Sequence, residues 1–267
     1  MRVGYVQMEP AFGEPSSNLE RARKLLMRER AELWVLPELF NTGYVFASHD
    51  EVQELAEPVP DGPTTQGLVE AAQELKAHIV AGLAERAGSQ AYNSAVAVGP
   101  RGLVTVYRKV HLFAEEKRWF APGDTPFPVL DLRGAKVGVM VCFDHFFPEA
   151  ARTLALQGAE IIAHPANLVM PGIAQRTMTV RALENRLFTV TANRVGAEER
   201  GGRALRFTGL SQIVSPVGTL LASSPEEDED VKALDVDPTL AQDKRLNPWN
   251  DLLADRRPGF YSVKSWR

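Results

Sequence analysis

Short apolar runs rich in Val and Ile recur along this chain, and longer amphipathic stretches separate many of them. This alternation is typical of a layered α/β domain, because short apolar runs form buried strands and amphipathic stretches form covering helices. The runs that predict strands are residues 3–8, 33–36, 79–84, 94–98, 104–107, 137–142, 161–164, 189–193, 212–214 and 233–236. So many strands for few helices leave two architectures open: a doubly wound sheet, or a sandwich of two sheets with helices outside.

Helices are predicted where apolar residues recur at helical spacing. The first begins near Ser17, whose hydroxyl is placed to cap the helix while Glu20 reaches back in a capping box. Residues 94–107 predict a hairpin, because a Gly-Pro-Arg-Gly turn joins its two apolar runs. The other predicted helices are residues 64–76, 148–157 and 173–186.

Composition and charge exclude several classes of protein. The 267 residues include one cysteine, so an intramolecular disulfide is impossible. A formal charge of −4 provides no general attraction to phosphate backbones, which excludes a typical nucleic-acid binder. No apolar run approaches the roughly 18 residues of a membrane span, and an acid and a Pro stand where a signal peptide is apolar. We therefore expect a soluble cytoplasmic protein, with the acidic run 226–230 as a solvated loop.

Several familiar motifs do not occur in the sequence. There is no phosphate-binding loop, no dinucleotide-binding glycine pattern, no His-Glu-x-x-His and no Cys-x-x-Cys. A Gly-x-Ser-x-Gly nucleophile elbow is also missing. Nucleotide binding, zinc sites and serine hydrolysis therefore have no support in the sequence.

Cys142 ends an apolar run, and the chain then turns into a predicted helix. A thiol at such a corner can project from a rigid sheet into a cleft, where backbone N–H groups face a developing oxyanion. The position alone does not decide its role, because a lone cysteine at the end of a strand is often a small core residue.

A catalytic thiol needs a base or a nearby positive charge, since a thiol with a pKa of about 8.5 is largely protonated at neutral pH. Glu38 and Lys109 each follow an apolar run directly, at the edge where open α/β sheets build their sites. Taken singly, each is better explained as a solvent-exposed residue at the end of a strand.

Three segments read together resemble the signature blocks of the nitrilase superfamily, the carbon–nitrogen hydrolases. They are Leu-Pro-Glu-Leu-Phe at 36–40, Tyr-Arg-Lys-Val-His-Leu-Phe at 107–113 and Val-Cys-Phe-Asp-His-Phe-Phe-Pro-Glu at 141–149. Further segments similar to the family are residues 4–8, 92–94, 120–123, 164–167 and 181–185. The resemblance implies a four-layer αββα sandwich formed by a single domain over 1–267, with the segment from about 238 as an extension.

The resemblance also implies a mechanism. Glu38 is the expected general base for Cys142, and Lys109 with the backbone N–H of Phe143 is expected to stabilise the oxyanion. Glu116 matches the family's second glutamate better than its neighbour Glu115, because it directly precedes the Lys-Arg-Trp-Phe segment. The reaction implied is hydrolysis of a small amide through a thioester, without a metal or other cofactor, by a homodimer or larger homo-oligomer.

Candidate substrate-binding residues follow from the same blocks. They are Tyr44, Phe143, His145 and Asn167, and each has packing or loop bracing as an equally good interpretation. Amidase relatives commonly carry an Arg where this chain has Phe146, which weakens any transfer of activity on carboxylate-bearing amides.

Polar residues around the signature blocks are expected to be structural. Asp144, Glu149 and Arg152 are expected to form an ion pair near the Cys142 corner. His111 and His164 are expected to make bracing hydrogen bonds.

Four other functions stay open at this point. An aliphatic nitrilase or a carbamoyl-specific amidase would use the same three groups. A Cys–His hydrolase would pair Cys142 with His111, His145 or His164. A catalytically silent scaffold would use none of them.

Overall fold

A computed structural model describes residues 1–261 of the chain. Its strands, numbered in chain order, are β1 (Arg2–Gln7), β2 (Leu33–Val35), β3 (His78–Ala87), β4 (Gln90–Gly99), β5 (Gly102–Arg108), β6 (Val129–Leu132), β7 (Ala135–Val139), β8 (Ile161–Pro165), β9 (Phe188–Ala192), β10 (Ala197–Arg200), β11 (Arg203–Arg206), β12 (Gln212–Val214), β13 (Leu220–Ser223), β14 (Asp230–Asp235), β15 (Arg245–Asn247) and β16 (Asn250–Asp251). Most of them belong to two six-stranded sheets.

The helices complete the fold. The α-helices are α1 (Pro15–Leu26), α2 (His49–Leu55), α3 (Pro63–Leu75), α4 (Glu116–Trp119), α5 (Pro148–Leu156) and α6 (Ile173–Asn185). Short 3-10 helices cover Cys142–Phe146, Pro238–Ala241 and Pro258–Phe260.

The two sheets share one plan. Their strand orders are β14-β1-β2-β3-β4-β5 and β13-β12-β9-β8-β7-β6. In each sheet the inner strands are parallel, β1 to β2 to β3 in one and β7 to β8 to β9 in the other, and antiparallel strands flank them. The predicted hairpin at 94–107 is present as the antiparallel pair β4–β5.

The sheets pack face to face, and helices cover their outer faces. In β2, Leu33 and Val35 point into the core shared by the two sheets, whereas Trp34 points into a second core beneath α1 and α3. Helices α5 and α6 pack on the other sheet through buried residues such as Leu154 and Met178. The four-layer αββα sandwich is therefore confirmed, and the doubly wound alternative is wrong.

The predicted start of the first helix is wrong by two residues. Helix α1 begins at Pro15, whose fixed backbone suits the first helical position, so Ser17 lies inside the helix and makes no capping hydrogen bond. The end of the loop before it is held instead by the buried side chain of Asn18, which bonds to the backbone of Ala11 and Asn41.

The predicted strand 137–142 is also too long. Strand β7 ends at Val139, and the N–H of Val141 donates to the carboxylate of Asp144 at 2.8 Å instead of to a neighbouring strand. Because the Asp144 carboxylate accepts the N–H of Val141, that N–H is not available to a neighbouring strand. The chain therefore leaves the sheet before Cys142.

The sequence did not predict several elements near the edges of the molecule, among them α2, α4, β6 and the small hairpins. The acidic run is exposed at 226–228 and joins β14 at Asp230, so it forms the expected loop except at its last residue. Residues 238–261 continue past β14 as short helices and one hairpin, and residues 262–267 of the predicted extension lie outside the described part of the chain. Within residues 1–261, no helix combines the length and apolarity needed to cross a bilayer.

Candidate active site

The ends of three strands supply the predicted catalytic residues. Glu38 lies three residues beyond β2, Lys109 follows β5 directly, and Cys142 lies three residues beyond β7. Close backbone packing fixes the first of these ends, since a Cβ atom at Gly82 of β3 would lie 2.4 Å from the Cα of Glu38. Both sheets therefore contribute to one site through rigid strand ends.

A buried ammonium group joins two carboxylates. Lys109 Nζ donates to Glu38 Oε1 at 2.6 Å and contacts both oxygens of Glu116, at 2.8 and 2.9 Å. Asn93 donates from Nδ2 to the same oxygen of Glu38 at 2.7 Å. The second oxygen of Glu38 is buried and has no hydrogen-bond partner among the described residues. That oxygen is the one free to exchange a proton.

Burial and charge shift the pKa values of this cluster. Burial raises the pKa of the Glu38 carboxyl, although the Lys109 ammonium opposes the shift. Burial alone lowers the pKa of Lys109, but the carboxylates of Glu116 and Glu38 outweigh it, and the net pKa stays above the ordinary value. Lys109 is thus positively charged, and Glu38 is more basic than a carboxylate in water.

Cys142 begins the 3-10 helix in a left-handed conformation with φ of 43°. Non-glycine residues rarely adopt this conformation, so the surroundings must hold it. Asp144 is the main brace: its carboxylate accepts the Tyr107 hydroxyl at 2.8 Å and the ring N–H of His111 at 2.7 Å. Together with the N–H of Val141, these contacts of Asp144 fix the corner that presents the thiol.

The thiol of Cys142 is buried and protonated. Its only hydrogen-bond acceptor among the described residues is the backbone carbonyl of Asn167, with Sγ and O 3.8 Å apart. Burial raises the pKa of the thiol well above its ordinary value; the nearby Glu38 charge adds to this rise, and Lys109 reduces it. The thiol therefore needs a base before it can act as a nucleophile.

A pocket opens beside the thiol and is mostly apolar. Its free volume of about 20 Å³ holds one water molecule, so the lining side chains must move apart to admit a larger molecule. Asn167 is nearly fully buried there, and neither its side-chain oxygen nor its nitrogen has a partner among the described residues. The residues lining the pocket are Phe113, Cys142, Phe143, His145, Phe146, Asn167, Leu168, Val169, Met170, Ile173 and Ala174.

Of the four predicted substrate-binding residues, Phe143, His145 and Asn167 line this pocket. Tyr44 does not; its hydroxyl donates to Glu116 Oε1 at 2.6 Å. Substrate contact stays a prediction for all four residues.

The expected bracing by histidines is present. His164 donates from Nε2 to the carbonyl of Cys142 at 3.0 Å, and His111 supports Asp144 as described above. Burial lowers the pKa of His164 to about 4 and that of His145 to about 3, so both are neutral at neutral pH. No hydrogen bond joins a histidine ring to the Cys142 sulfur among the described residues, so a Cys–His pair is not formed.

The predicted ion pair near the corner is wrong. Arg152 donates to the carbonyl of Glu184 at 2.8 Å and not to Asp144 or Glu149, because α5 directs its side chain toward α6. Arg181 of α6 braces the corner instead, donating to the carbonyls of His145 at 3.1 Å and Phe146 at 3.3 Å.

Two neighbours of the site were noticed in the sequence without a role. Asn93 and Arg181 lie in segments similar to the family, and the structure places one on Glu38 and the other behind the 3-10 helix. Glu116 rather than Glu115 reaches Lys109, since Glu115 pairs with Arg118 and Arg203.

No group of three or more His, Cys, Asp or Glu side chains within residues 1–261 is arranged to hold a metal ion. What the cluster can do chemically is move one proton. Glu38 has an unpartnered carboxylate oxygen and a raised pKa that suit it to accept the proton, and the Lys109 ammonium lies 2.6 Å from its other oxygen.

Comparison with known proteins identifies the family of the chain. The family model described as carbon-nitrogen hydrolase matches residues 2–245. A nitrilase of Pyrococcus abyssi is 52% identical and covers 98% of this chain and 99% of its own length. An (R)-stereoselective amidase of a Pseudomonas species is 36% identical over 96% of this chain and 92% of its own.

A solved structure shares the fold. It is a variant of the amidase from Nesterenkonia sp. AN1 in which the acetamide moiety of fluoroacetamide is covalently added at the active-site cysteine. It is 27% identical to this chain, has a TM-score of 0.80, and covers 97% of this chain and 94% of its own. The chain therefore belongs to the carbon–nitrogen hydrolase family of the nitrilase superfamily and is a hydrolase of carbon–nitrogen bonds other than peptide bonds.

Proposed function

We propose that this enzyme hydrolyses a small, uncharged amide through a thioester on Cys142, releasing ammonia and a carboxylic acid. The observation that carries the proposal is the buried pair of Glu38 and Lys109, 2.6 Å apart, with the buried Cys142 thiol close enough for both charges to shift its pKa. A base, a cation and a nucleophile in one shielded place are the parts that acyl transfer requires.

The first step forms the tetrahedral adduct. Glu38 accepts the proton of the Cys142 thiol while the sulfur bonds to the carbonyl carbon, and the carbonyl π electrons move to the oxygen. Lys109 and the N–H of Phe143 stabilise the resulting oxyanion. This N–H is available because the first N–H groups of a helix have no acceptor within it.

The second half releases both products. Protonated Glu38 returns its proton to the amide nitrogen, the carbon–nitrogen bond breaks, and ammonia leaves a thioester behind. A water molecule then loses a proton to Glu38 and attacks the thioester carbon. When the carbon–sulfur bond breaks, the carboxylic acid departs and the sulfur regains a proton.

The charges of the cluster explain why the thiol keeps its proton until substrate is bound. Glu38 and Glu116 around Lys109 give the cluster a net charge of about −1, and a free thiolate would add another negative charge in a dry site. An electrophilic carbon removes this penalty, because the charge passes from sulfur to an oxygen beside Lys109. Proton transfer and attack are therefore coupled.

The pocket favours a small and uncharged acyl group. Its lining provides aromatic and aliphatic surface, with the unpartnered amide of Asn167 as a polar anchor. Phe146 occupies the position where amidase relatives carry an Arg, so a carboxylate entering here would lose its hydration without gaining a cationic partner.

An ammonia-release assay on matched substrates tests this choice. We expect the highest kcat/KM on acetamide, propionamide and butyramide, and lower values on dinitriles and N-carbamoyl compounds. Cys142→Ala is the control and should release no ammonia above background. Activity confined to dinitriles would establish a nitrilase instead, and activity confined to N-carbamoyl compounds would establish a carbamoyl amidase.

Mass spectrometry tests the thioester directly. Rapid quenching during turnover of propionamide should add the mass of one propionyl group to the peptide that contains Cys142. An enzyme without this adduct, and without modification by fluoroacetamide, would be the catalytically silent scaffold.

We also propose a homodimer or larger homo-oligomer. Support comes from the outer face of α5 and α6, where Leu156, Val180 and Leu183 are exposed together with polar neighbours. Sedimentation velocity should give a mass of at least twice 29.4 kDa. A monomer at micromolar concentration would refute this part of the proposal.

A further inference from the structure

The hairpin β10–β11 lies against the loop that carries Tyr44. Glu198 on β10 accepts the backbone N–H of Tyr44 with both carboxylate oxygens, each at 3.1 Å, and the N–H of Val45 at 2.6 Å. Because these donors belong to the backbone, Glu198 fixes the part of the loop at Tyr44, while Arg200 and Arg203 of the same hairpin hold the carbonyls of Val45 and Phe46.

The Glu198 carboxylate is itself fixed. It is buried and pairs with the guanidinium of Arg194, which is fully buried and donates to the carbonyl of Pro10 at 3.2 Å. The guanidinium also lies 3.9 Å above the ring of Phe207, and that ring meets the Tyr44 ring edge-on at 5.9 Å. The same pair therefore holds both the backbone and the ring of Tyr44.

The loop approaches Glu198 through a glycine. Gly43 has φ of 81°, and a Cβ atom there would lie 3.0 Å from a Glu198 oxygen and 2.9 Å from the Cα of Phe12. A side chain at this position would push the loop away from the carboxylate. The close approach therefore depends on both residues, on Gly43 because it has no side chain and on Glu198 because its carboxylate accepts the loop N–H groups.

The Tyr44 side chain connects the loop to the charged cluster of Glu38, Lys109 and Glu116. Its hydroxyl donates to Glu116 Oε1 at 2.6 Å, and the same oxygen accepts from Lys109 Nζ at 2.9 Å. Glu116 is otherwise anchored by the N–H of Phe113 at 3.1 Å, so Tyr44 provides its second fixed contact besides Lys109.

We propose that Glu198 is a positioning residue for the reaction: through the loop at Tyr44 it sets the orientation of Glu116 and, with it, the place of the Lys109 ammonium. The inference rests on the proposed function, because Lys109 is the group assigned to the oxyanion. Glu198 touches neither the thiol nor the pocket, and it acts only through Tyr44.

A double-mutant cycle tests this path. We compare Glu198→Gln, Tyr44→Phe and the double variant, measuring kcat and KM for propionamide and the rate of Cys142 alkylation by iodoacetamide. Each single variant should lower kcat about 10- to 100-fold, as expected when a catalytic group is displaced by about 1 Å, with KM within about twofold. The kcat of the double variant should be no lower than that of the more impaired single variant, because both substitutions interrupt the same series of contacts.

A nearby ion pair provides the matched control. Glu227 pairs with Arg206 of the same hairpin at 3.8 Å, and among the described residues it makes no hydrogen bond to the loop at Tyr44 or to Glu116. Glu227→Gln should therefore leave kcat unchanged. Should Glu198→Gln fail to fold, Glu198→Asp keeps the charge opposite Arg194 but is one methylene shorter, and it should still lower kcat.

Two results would overturn the inference. One is a double variant whose loss of kcat is the product of the two single losses. The other is a lower melting temperature in Glu198→Gln with kcat per folded molecule unchanged. Failure of the proposed function would look different, because the unmodified enzyme would then release no ammonia from propionamide. The rates of Cys142 alkylation by iodoacetamide in the single and double variants would still show whether Glu198 and Tyr44 act on the site along one path.

Discussion

At the scale of the residue, Lys109 is what allows two carboxylates to share one dry site. Its ammonium lies 2.6 Å from Glu38 and 2.8 Å from Glu116, and all three side chains are buried. Removing one member of a buried charge pair leaves the other uncompensated, typically at a cost of about 3–5 kcal/mol. Conservative substitutions that keep shape are therefore better tests than alanine.

Glu38→Gln is the sharpest of these substitutions. It keeps an oxygen to accept from Asn93 and Lys109 but cannot take a proton, so the thiol loses its base. We expect kcat for amide hydrolysis to fall about 10²- to 10⁴-fold, the usual contribution of general base catalysis. Steady-state ammonia release measures it.

Histidine variants give the complementary result. His111 braces Asp144, and His145 is neutral with a pKa of about 3, so neither is suited to take the thiol proton in the proposed mechanism. His111→Gln and His145→Gln should each retain at least about a tenth of kcat, since the first removes only the hydrogen bond to Asp144 and Nδ1 of His145 has no hydrogen-bond partner among the described residues. A Cys–His hydrolase would show the opposite order, with Glu38→Gln active and one of the histidine variants inactive.

Phe146 lines the pocket, and we expect it to determine which acyl groups the pocket accepts. Phe146→Arg places a cation where the present lining is aromatic. We expect kcat/KM for succinamate to rise at least about tenfold relative to propionamide, because a charge-assisted hydrogen bond contributes about 1.5–3 kcal/mol. Phe146→Leu is the control for lost aromatic surface and should not favour succinamate. An unchanged substrate ratio in Phe146→Arg would contradict the assignment.

At the scale of the element, the strand ends position the catalytic groups. Strand β3 passes so close to Glu38 that only glycine fits at position 82, where a Cβ atom would lie 2.4 Å from the Cα of Glu38. Gly123 supports Lys109 in the same way, since a Cβ atom there would lie 2.0 Å from the carbonyl oxygen of Arg108. Glycine thus permits backbones to approach behind two of the candidate catalytic residues, Glu38 and Lys109.

Gly82→Ala should damage both stability and activity. Overpacking against a rigid backbone typically costs about 1–3 kcal/mol in the free energy of unfolding, and the displaced strand end carries Glu38 with it. Urea unfolding and kcat for propionamide measure the two effects. Gly259→Ala, where a Cβ atom meets nothing within 4 Å, is the control. If Gly82→Ala unfolded earlier but kept full kcat, the strand end would not position Glu38.

Elements with strong local patterns were predictable from the sequence. Buried parallel strands such as β8 are continuous apolar runs, and α5 begins at Pro148 as predicted. The elements that were missed lack such a pattern: β10 and β11 are polar edge strands, and α4 has four residues. Their structure depends on partners that are distant in the sequence, such as the contacts of Glu198.

The residues of the site could be predicted where they lie in or beside the sequence blocks that resemble the family. Glu38, Lys109, Cys142 and Glu116 were identified before their contacts were known. The left-handed backbone of Cys142 and the path from Glu198 to Tyr44 were not, because neither leaves a local sequence signal. The first depends on the hydrogen bond that the Asp144 carboxylate accepts from the N–H of Val141, and the second links residues 154 positions apart.

At the scale of the whole molecule, burial of neutral histidines between the layers couples stability to pH. His164 is fully buried in β8, and burial holds its pKa at about 4, against about 6.5 in an unfolded chain. Below pH 6.5 the unfolded chain therefore binds a proton that the native protein does not. The native state loses stability as the pH falls from 6.5 toward 4, by up to about 1.4 kcal/mol per pH unit for this residue.

The raised pKa of Glu38 has the opposite effect over part of this range, because the native carboxyl holds its proton to higher pH than the unfolded one. Variants separate the two contributions. Chemical unfolding of the enzyme and of His164→Gln between pH 7 and pH 4.5 should show a shallower loss of stability in the variant. A further His145→Gln should reduce the slope again, since its pKa of about 3 is also lowered by burial. Equal slopes in all three proteins would mean that these histidines are protonated in the native state, and that the layers around Cys142 admit water.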